Sequence, residues 1–169
     1  GVYTVRLIVT SGFGCIDSTT RQVLVKANPK PKFVVANACL RDAITLDTAG
    51  SNGTAAAQLV IDYGDGTPST NVLTHTYAMS GTYTISLTMI DNGCSSTISD
   101  VVTIYDLPLP NFSVSRYSIC MNELDTFSNT TTINSGSLVS HKWEVINSAN
   151  VVVSSVVYNS AQEFIYAFN

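Results

Sequence analysis

Charged side chains are scarce in this chain of 169 residues: they make up 12% of it, and the formal net charge is −4. Soluble domains usually have charges at about a quarter of their residues. The polar surface must therefore be built from Ser, Thr and Asn, as is common on extracellular β-proteins. With only eight Lys and Arg residues, the chain lacks the basic surface that nucleic-acid binding requires, so we expect no nucleic-acid partner.

Long apolar runs are missing as well. No stretch approaches the roughly 18 consecutive apolar residues of a membrane-spanning helix, so we expect no membrane insertion. A secretory signal peptide is also lacking, because residues 1–5 already have the pattern of a strand. We therefore expect the chain to begin inside a larger protein. Its length allows one large domain or two small ones.

Helical periodicity is absent from residues 59–91, the most informative stretch. Apolar and polar residues alternate there, and this period of two predicts strands with one buried face. The pattern predicts strands at 59–63, 73–77 and 82–90, a tight turn at 64–67, and a polar loop between that turn and the second strand. In the third strand the predicted buried face carries Tyr83, Ile85, Leu87 and Met89.

The same stretch carries three linked motifs in a fixed order. They are Ile61-Asp62-Tyr63-Gly64-Asp65-Gly66-Thr67, then His75-Thr76-Tyr77, then Gly81-Thr82-Tyr83-Thr84-Ile85. Together they resemble the core of a PKD domain, a β-sandwich of the immunoglobulin type, in which the first position is usually Trp. The resemblance implies structural roles for Gly64, Asp65, Gly66, His75, Tyr77, Gly81 and Tyr83.

An internal repeat extends this resemblance over most of the chain. Residues 1–15 repeat residues 81–94, and the Pro-x-Pro segment at 29–31 recurs at 108–110. A repeat of this kind predicts tandem structural units. The expected fold class is therefore all-β, with tandem immunoglobulin-like sandwiches of the PKD type.

The two proline linkers set the predicted unit boundaries. We expect the C-terminal strands of one sandwich at 1–26, a complete sandwich at 28–105, and the N-terminal part of a degenerate sandwich at 107–169. In this last unit the Gly-Asp-Gly turn is lost, while Trp143 keeps the aromatic residue of the central strand.

The first and last of these units cannot bury their own sheets. Three alternatives stay open at this point. The two units complete each other within one chain, neighbouring copies of the chain exchange strands in a filament, or the segment belongs to a much longer chain whose other parts complete them.

Two acidic side chains, Asp62 and Asp65, have a spacing at which their oxygens could reach a calcium ion. A structural role is favoured, because Asp65 lies between two glycines and can accept hydrogen bonds from turn amides. No other cofactor is predicted. His75 and His141 have no Cys or Glu at metal-binding spacing, and no catalytic grouping can be recognised, so we predict that the chain is not an enzyme.

Four cysteines occupy repeated positions. Cys15 and Cys94 each end a long strand, in the turn before the last strand of a sandwich, and Cys39 and Cys120 each lie in the turn between the first two strands. An even number in an exported-looking chain predicts disulfides. In an immunoglobulin-like strand order, Cys39 and Cys94 would lie ~30 Å apart, too far to pair. We therefore hypothesise disulfides between successive units, with Cys15–Cys39 available if Cys15 completes the third unit; free thiols are the alternative.

Tandem units with Cys-x-x-Asp and Asn-Gly-Cys segments resemble the PKD-like repeats of very large bacterial surface proteins. These include gliding-motility adhesins and other cargo of the type IX secretion system. The resemblance implies an extracellular stalk, spacer or polymerising unit of an adhesin or filament. Its expected partners are neighbouring repeats or identical chains, with surface polysaccharide as a further candidate. The alternatives are an accessory module of a secreted polysaccharide-degrading enzyme or protease, and a binding module with calcium-dependent loops.

Overall fold

A computed structural model describes residues 1–159 and 162–168 of the chain. This described part contains fourteen strands and no α-helix, which confirms the predicted all-β fold class. It contains no helix that is long and apolar enough to cross a membrane.

The chain begins with an isolated two-stranded hairpin, which we call the N-terminal hairpin (residues 1–25). Strands β1 (Val2–Thr10) and β2 (Ile16–Leu24) pair antiparallel over nine residue pairs. Every residue of both strands is exposed. The alternating pattern therefore forms the predicted strands, but no other strand of the described residues covers them.

The middle sandwich (residues 26–105) contains two layers. Its larger sheet has five strands in the order β3-β9-β8-β5-β6. The long strands β8 and β9 are joined by a two-residue turn, Asn92-Gly93, in which both residues have positive φ. An Asn-Gly pair of this conformation matches the right-handed twist of the flanking strands. The five strands are β3 (Ala38–Cys39), β5 (Gln58–Asp62), β6 (Pro68–Thr70), β8 (Gly81–Asp91) and β9 (Cys94–Tyr105).

The second layer of the middle sandwich consists of β4 (Ala43–Thr45) paired with β7 (Thr74–Thr76). Two isolated bridges, Val34–Asp47 and Lys30–Asn52, extend it. Between the layers lies one apolar core. Of the face predicted for β8, Ile85, Leu87 and Met89 are buried and Tyr83 is half-buried, which confirms the predicted orientation. The core cluster consists of Phe33, Ile44, Leu46, Ile61, Tyr63, Tyr77, Ile85, Leu87, Val102 and Ile104.

One local prediction was wrong. The segment after the Gly-Asp-Gly turn was expected to be a polar loop, but Pro68–Thr70 forms β6, which pairs with β5 at the sheet edge. A short polar strand beginning with proline is tolerated there because an edge strand leaves part of its backbone facing solvent.

The remaining residues, which we call the last segment (residues 106–168), form two small sheets. One has the order β10-β11-β14 and the other pairs β12 with β13. The valine-rich run near residue 155 forms β13, which pairs with β12 alone among the described residues. The strands are β10 (Phe112–Val114), β11 (Leu124–Asn129), β12 (His141–Ile146), β13 (Val152–Tyr158) and β14 (Phe164–Ala167).

Candidate functional site

The acidic turn of the middle sandwich is tied to the neighbouring strand by a histidine. His75 on β7 lies with its Nε2 2.6 Å from Oδ2 of Asp65, and both side chains are largely buried. The other oxygen of Asp65 accepts hydrogen bonds from the amide and the hydroxyl of Thr67. The imidazole stacks on Tyr63 with ring centroids 4.3 Å apart. The first two sequence motifs thus meet at one point, which we call the turn cluster (Tyr63, Asp65, Thr67, His75 and Tyr77).

The electrostatics of the turn cluster favour the charged form of Asp65. Burial acts to raise the pKa of this carboxyl, but the hydrogen bonds from Thr67 and His75 outweigh it and hold the pKa below its ordinary value. Burial raises the pKa of both Tyr63 and Tyr77. The hydroxyl of Tyr77 donates to the carbonyl of Tyr63 at 2.8 Å, and that of Tyr63 donates to the carbonyl of Val72 at 2.8 Å. These phenols are therefore fixed structural donors.

Glycine is required at one position of this turn for reasons of space. Gly64 has φ +77°, and a Cβ added there would lie 2.5 Å from the carbonyl oxygen of Thr84 on β8. Gly66 also has positive φ, but a Cβ there would meet nothing within 4 Å. The close approach at Gly64 lets the turn pack against the central strand of the sheet.

The third motif packs onto the same cluster. Tyr83 stacks on Tyr77 with ring centroids 4.0 Å apart, and its hydroxyl donates to the carbonyl of Met79 at 2.9 Å. Gly81, which begins β8, has φ +155° beside this ring. The structure thus brings the motif residues of the middle sandwich together around buried rings, while Trp143 lies apart in the last segment.

Both carboxylates of the calcium hypothesis are engaged within the turn. Oδ1 of Asp62 accepts the amide of Gly64 at 2.8 Å, and Asp65 is held by Thr67 and His75. No grouping of three or more His, Cys, Asp or Glu residues that could hold a metal occurs at 1–159 or 162–168. Calcium binding at Asp62 and Asp65 stays a prediction, and their present contacts stabilise the turn.

The cysteines mark the two ends of the middle sandwich. Cys94 begins the twelve-residue strand β9, and Cys39 lies beside Tyr105, where β9 ends. Twelve residues of strand span about 40 Å, so Cys39 and Cys94 lie at opposite ends, as predicted. All four cysteines are unpaired in the structure. The predicted disulfides between units stay a prediction.

The linkers also leave from opposite ends of the middle sandwich. At one end, which we call the incoming end, Nζ of Lys26 donates to the carbonyl of Asn92 at 2.6 Å. At the other, the outgoing end, β9 finishes at Tyr105 and the chain passes into the last segment. There Nδ2 of Asn134 donates to Asp106 at 2.6 Å. Neither contact could be read from the sequence, because each joins residues that are far apart along the chain.

The last segment has an open aromatic face. Phe112, Phe127, Trp143 and Phe164 contact one another with ring centroids 5.4–6.4 Å apart. They line an open cavity of about 730 Å³. At the same place two buried nitrogens, Nε2 of His141 and Nε1 of Trp143, have no hydrogen-bond partner among the described residues. The loss of the Gly-Asp-Gly motif after Trp143 was the one sequence signal that this unit differs from the middle sandwich.

Comparison with known protein families finds a PKD domain at residues 26–104. This agrees with the resemblance carried by the three motifs and covers the middle sandwich. PKD domains are generally extracellular modules without catalytic activity. A search of curated proteins finds no match to the chain.

Proposed function

We propose, from the PKD domain at residues 26–104, that this chain is a structural repeat segment of a large extracellular adhesin or filament. It acts as a stalk or spacer, or as a unit that polymerises, in bacterial surface attachment or gliding. Export by a type IX system fits the repeat and cysteine pattern quoted above. The role is mechanical and needs no catalytic group.

The observation that carries this proposal is the placement of the two linkers. The incoming end of the middle sandwich holds Lys26 against the turn at Asn92, and the outgoing end releases the chain after Tyr105. These ends are separated by the length of β9, about 40 Å. Units joined in this way extend in a line, so that each contacts only its neighbours.

The cysteine positions support covalent reinforcement of such a line. The outgoing-end cysteine of one unit (Cys39 in the middle sandwich) faces the turn cysteine of the next unit (the Cys94 position). Disulfides between these positions would fix the angle between units. Non-reducing peptide mass mapping of the protein from its source should find cross-links of this kind, whereas a Cys39–Cys94 bond would contradict the arrangement.

A carbohydrate-binding accessory module is the competing function. Such modules present several exposed aromatic rings to the sugar. Within residues 26–105, all of which the structure describes, Tyr105 is the one strongly exposed aromatic side chain. This argues against sugar binding by the middle sandwich, and a lack of retention of the whole chain on insoluble polysaccharide would agree with the spacer role.

A deletion in the source cell tests the spacer role. Removing residues 27–105 joins Lys26 to Asp106, which copies the native junction of Tyr105 with Asp106 because residues 1–26 repeat 81–105 with one extra residue in the first turn. We expect the surface projection to shorten by about 40 Å, one unit length, with export and adhesion to the target retained.

The matched control is Leu87→Glu, which places a charge in the core of the same unit without shortening the chain. Loss of target binding in the deletion, with export intact, would assign binding rather than spacing to this region. Failure of antibodies against the middle sandwich to label intact cells would contradict the extracellular location.

A further inference from the structure

The chain enters and leaves the middle sandwich at opposite ends, so tension along the chain pulls on this unit from both ends. It enters beside the turn at Asn92 and leaves after Tyr105. After entry, residues 30–34 are held to the second layer by two separated bridges. The chain then crosses to the larger sheet and forms β3. The contacts that join this entering stretch to the leaving strand β9 therefore carry the load.

Strand β3 pairs directly with the end of β9. The two strands are parallel, with Ala38 opposite Ile104 and Cys39 opposite Tyr105. The amide of Leu40 donates to the carbonyl of Tyr105 at 2.8 Å. In the strand order β3-β9-β8-β5-β6 the entering and leaving strands are neighbours. The shortest path of tension through the unit therefore crosses this pairing and does not include β8, β5 or β6.

The side chain of Asn37 lengthens this short pairing by one residue. Its Oδ1 accepts the amide of Thr103 at 2.8 Å, and its Nδ2 donates to the hydroxyl of Tyr105 at 3.3 Å. Three successive residues of β9, from Thr103 to Tyr105, are thus held to residues 37–40. Asn37 is exposed and lies outside the apolar core. Its two hydrogen bonds both join the entering stretch to the leaving strand.

Tension loads this pairing in shear. The entering chain pulls on β3 from its N-terminal end, and the leaving chain pulls on β9 from its C-terminal end. In a parallel pair these two pulls are opposed and run along the strands, while the hydrogen bonds run across from one strand to the other. Sliding one strand past the other therefore strains all of the hydrogen bonds at once, so that a short pairing resists a large pull.

We propose that the pairing of β3 with the end of β9, extended by Asn37, is the contact that bears tension in the middle sandwich and sets its rate of unfolding under force. Residues 30–34 detach first, because their two bridges are separated and are loaded one after the other. The β3–β9 pairing then holds until its strands slide apart. This inference rests on the mechanical role proposed above and names the contact that performs it.

A second asparagine of the same sheet provides a matched control. Oδ1 of Asn71 accepts the amide of Leu59 at 2.9 Å, at the edge formed by β5 and β6. This bond has the same chemistry as the bond of Asn37 to Thr103, but it lies outside the path of tension. Asn71 has φ +57°, so the suitable replacement is glycine, which adopts this conformation without strain.

The test is constant-force unfolding of the full chain, with handles that load the middle sandwich alone. The four native cysteines are replaced by serine, and the handles are attached through Ala27→Cys and Pro108→Cys, at two exposed positions. Unfolding between the handles should lengthen the chain by about 230 Å, which identifies the event. Asn37→Ala should raise the unfolding rate under force about tenfold, because it removes two hydrogen bonds of the loaded contact.

Two variants separate load bearing from ordinary stability. Asn37→Asp keeps the oxygen that accepts the Thr103 amide, so its rate under force should stay within about twofold of the parent. Asn71→Gly should also stay within about twofold under force, although it should accelerate unfolding in urea about as much as Asn37→Ala does. Equal acceleration of Asn37→Ala and Asn71→Gly under force would overturn the proposal. An unchanged rate in Asn37→Ala would do the same.

Moving one handle checks the direction of loading. When Ala55→Cys, at an exposed position in the loop before β5, replaces Ala27→Cys, tension no longer passes through β3. The effect of Asn37→Ala on the rate under force should then disappear. An undiminished effect would show that Asn37 acts through general stability, which contradicts the proposal. Failure of these tests would leave the spacer role standing, since the deletion experiment measures that role separately.

Discussion

Residues 1–25 and 81–104 form corresponding hairpins in two different environments. Both pair antiparallel over their full length, and both carry the same alternation of apolar and polar side chains. In the middle sandwich the apolar face is buried against a second layer, while in the N-terminal hairpin it is exposed. The comparison teaches that turn and alternation determine the pairing, whereas burial depends on the opposing sheet.

The middle sandwich and the last segment differ in a second way. The turn cluster of Asp65 and His75 has no counterpart after Trp143, where Ile146-Asn147-Ser148 stands in place of the Gly-Asp-Gly turn. The position of buried Ile44 is taken by Asp125, which is 3% exposed and accepts a hydrogen bond from Ser115. The last segment has thus lost the features that close the middle sandwich.

The largest expected difference between the two hairpins is the loss of unfolding free energy when a leucine on the apolar face is shortened to alanine. Leu87→Ala should destabilise the middle sandwich by about 3 kcal/mol, because it removes a fully buried side chain and leaves a cavity. Leu7→Ala should cost less than about 0.5 kcal/mol in the monomer, where the side chain is exposed. Urea unfolding followed by circular dichroism checks both. Equal effects would mean that the hairpins share one environment.

The next largest effect is expected from substitutions of the two glycines in the Gly64-Asp65-Gly66 turn. Gly64→Ala should destabilise the middle sandwich by about 3 kcal/mol, since it adds a clash with the carbonyl of Thr84 to the strain of positive φ. Gly66→Ala, with the same φ sign and open space around it, should cost about 1 kcal/mol. Thermal unfolding of both variants checks this difference. Equal unfolding midpoints would show that the close approach at Gly64 adds nothing to the cost of the substitution.

A smaller effect is expected in the pH dependence of stability, because the middle sandwich has the Asp65 carboxylate and the last segment has no counterpart of it. The pKa of Asp65 is lowered in the folded state, so its contribution is complete above the unfolded value of about 4 and is lost as the pH falls through the folded pKa. Asp65→Asn should cost about 1 kcal/mol at neutral pH and reduce the acid sensitivity of the middle sandwich. Asp100→Asn, an exposed aspartate on β9, is the control. Unchanged acid unfolding in Asp65→Asn would contradict the contribution of the Asp65 carboxylate to stability.

The smallest expected effect concerns the junction. Lys26→Ala removes an exposed hydrogen bond to the carbonyl of Asn92 and should change unfolding free energy by less than about 0.5 kcal/mol. It should, however, widen the range of angles between the N-terminal hairpin and the middle sandwich. Small-angle scattering of the reduced monomer measures this range, with Lys30→Ala as the matched lysine control. Identical scattering from Lys26→Ala and the parent chain would show that the Lys26 contact does not restrict the angle at the junction.

Alternation and turn residues were enough to predict β5, β7, β8 and the buried face of β8. The separation of Cys39 from Cys94 was predicted from the immunoglobulin-like strand order that the resemblance implies. The strand β6 was missed because its polar residues are typical of a loop, and only edge pairing with β5 makes them a strand. The contact of Asp65 with His75 was also missed, since ten residues of intervening chain fold back to make it. The repeat predicted that the last segment leaves a sheet uncovered, but the grouping of Phe112, Phe127 and Trp143 on that face depends on strand pairings that were not predicted.

Hydrogen exchange of the full chain under reducing conditions tests most directly whether the same hairpin pattern is stabilised only where a second layer covers it. We predict slow exchange in β8, which is paired on both sides, and fast exchange in β1, whose residues are all exposed. Equal protection of β1 and β8 would contradict the account.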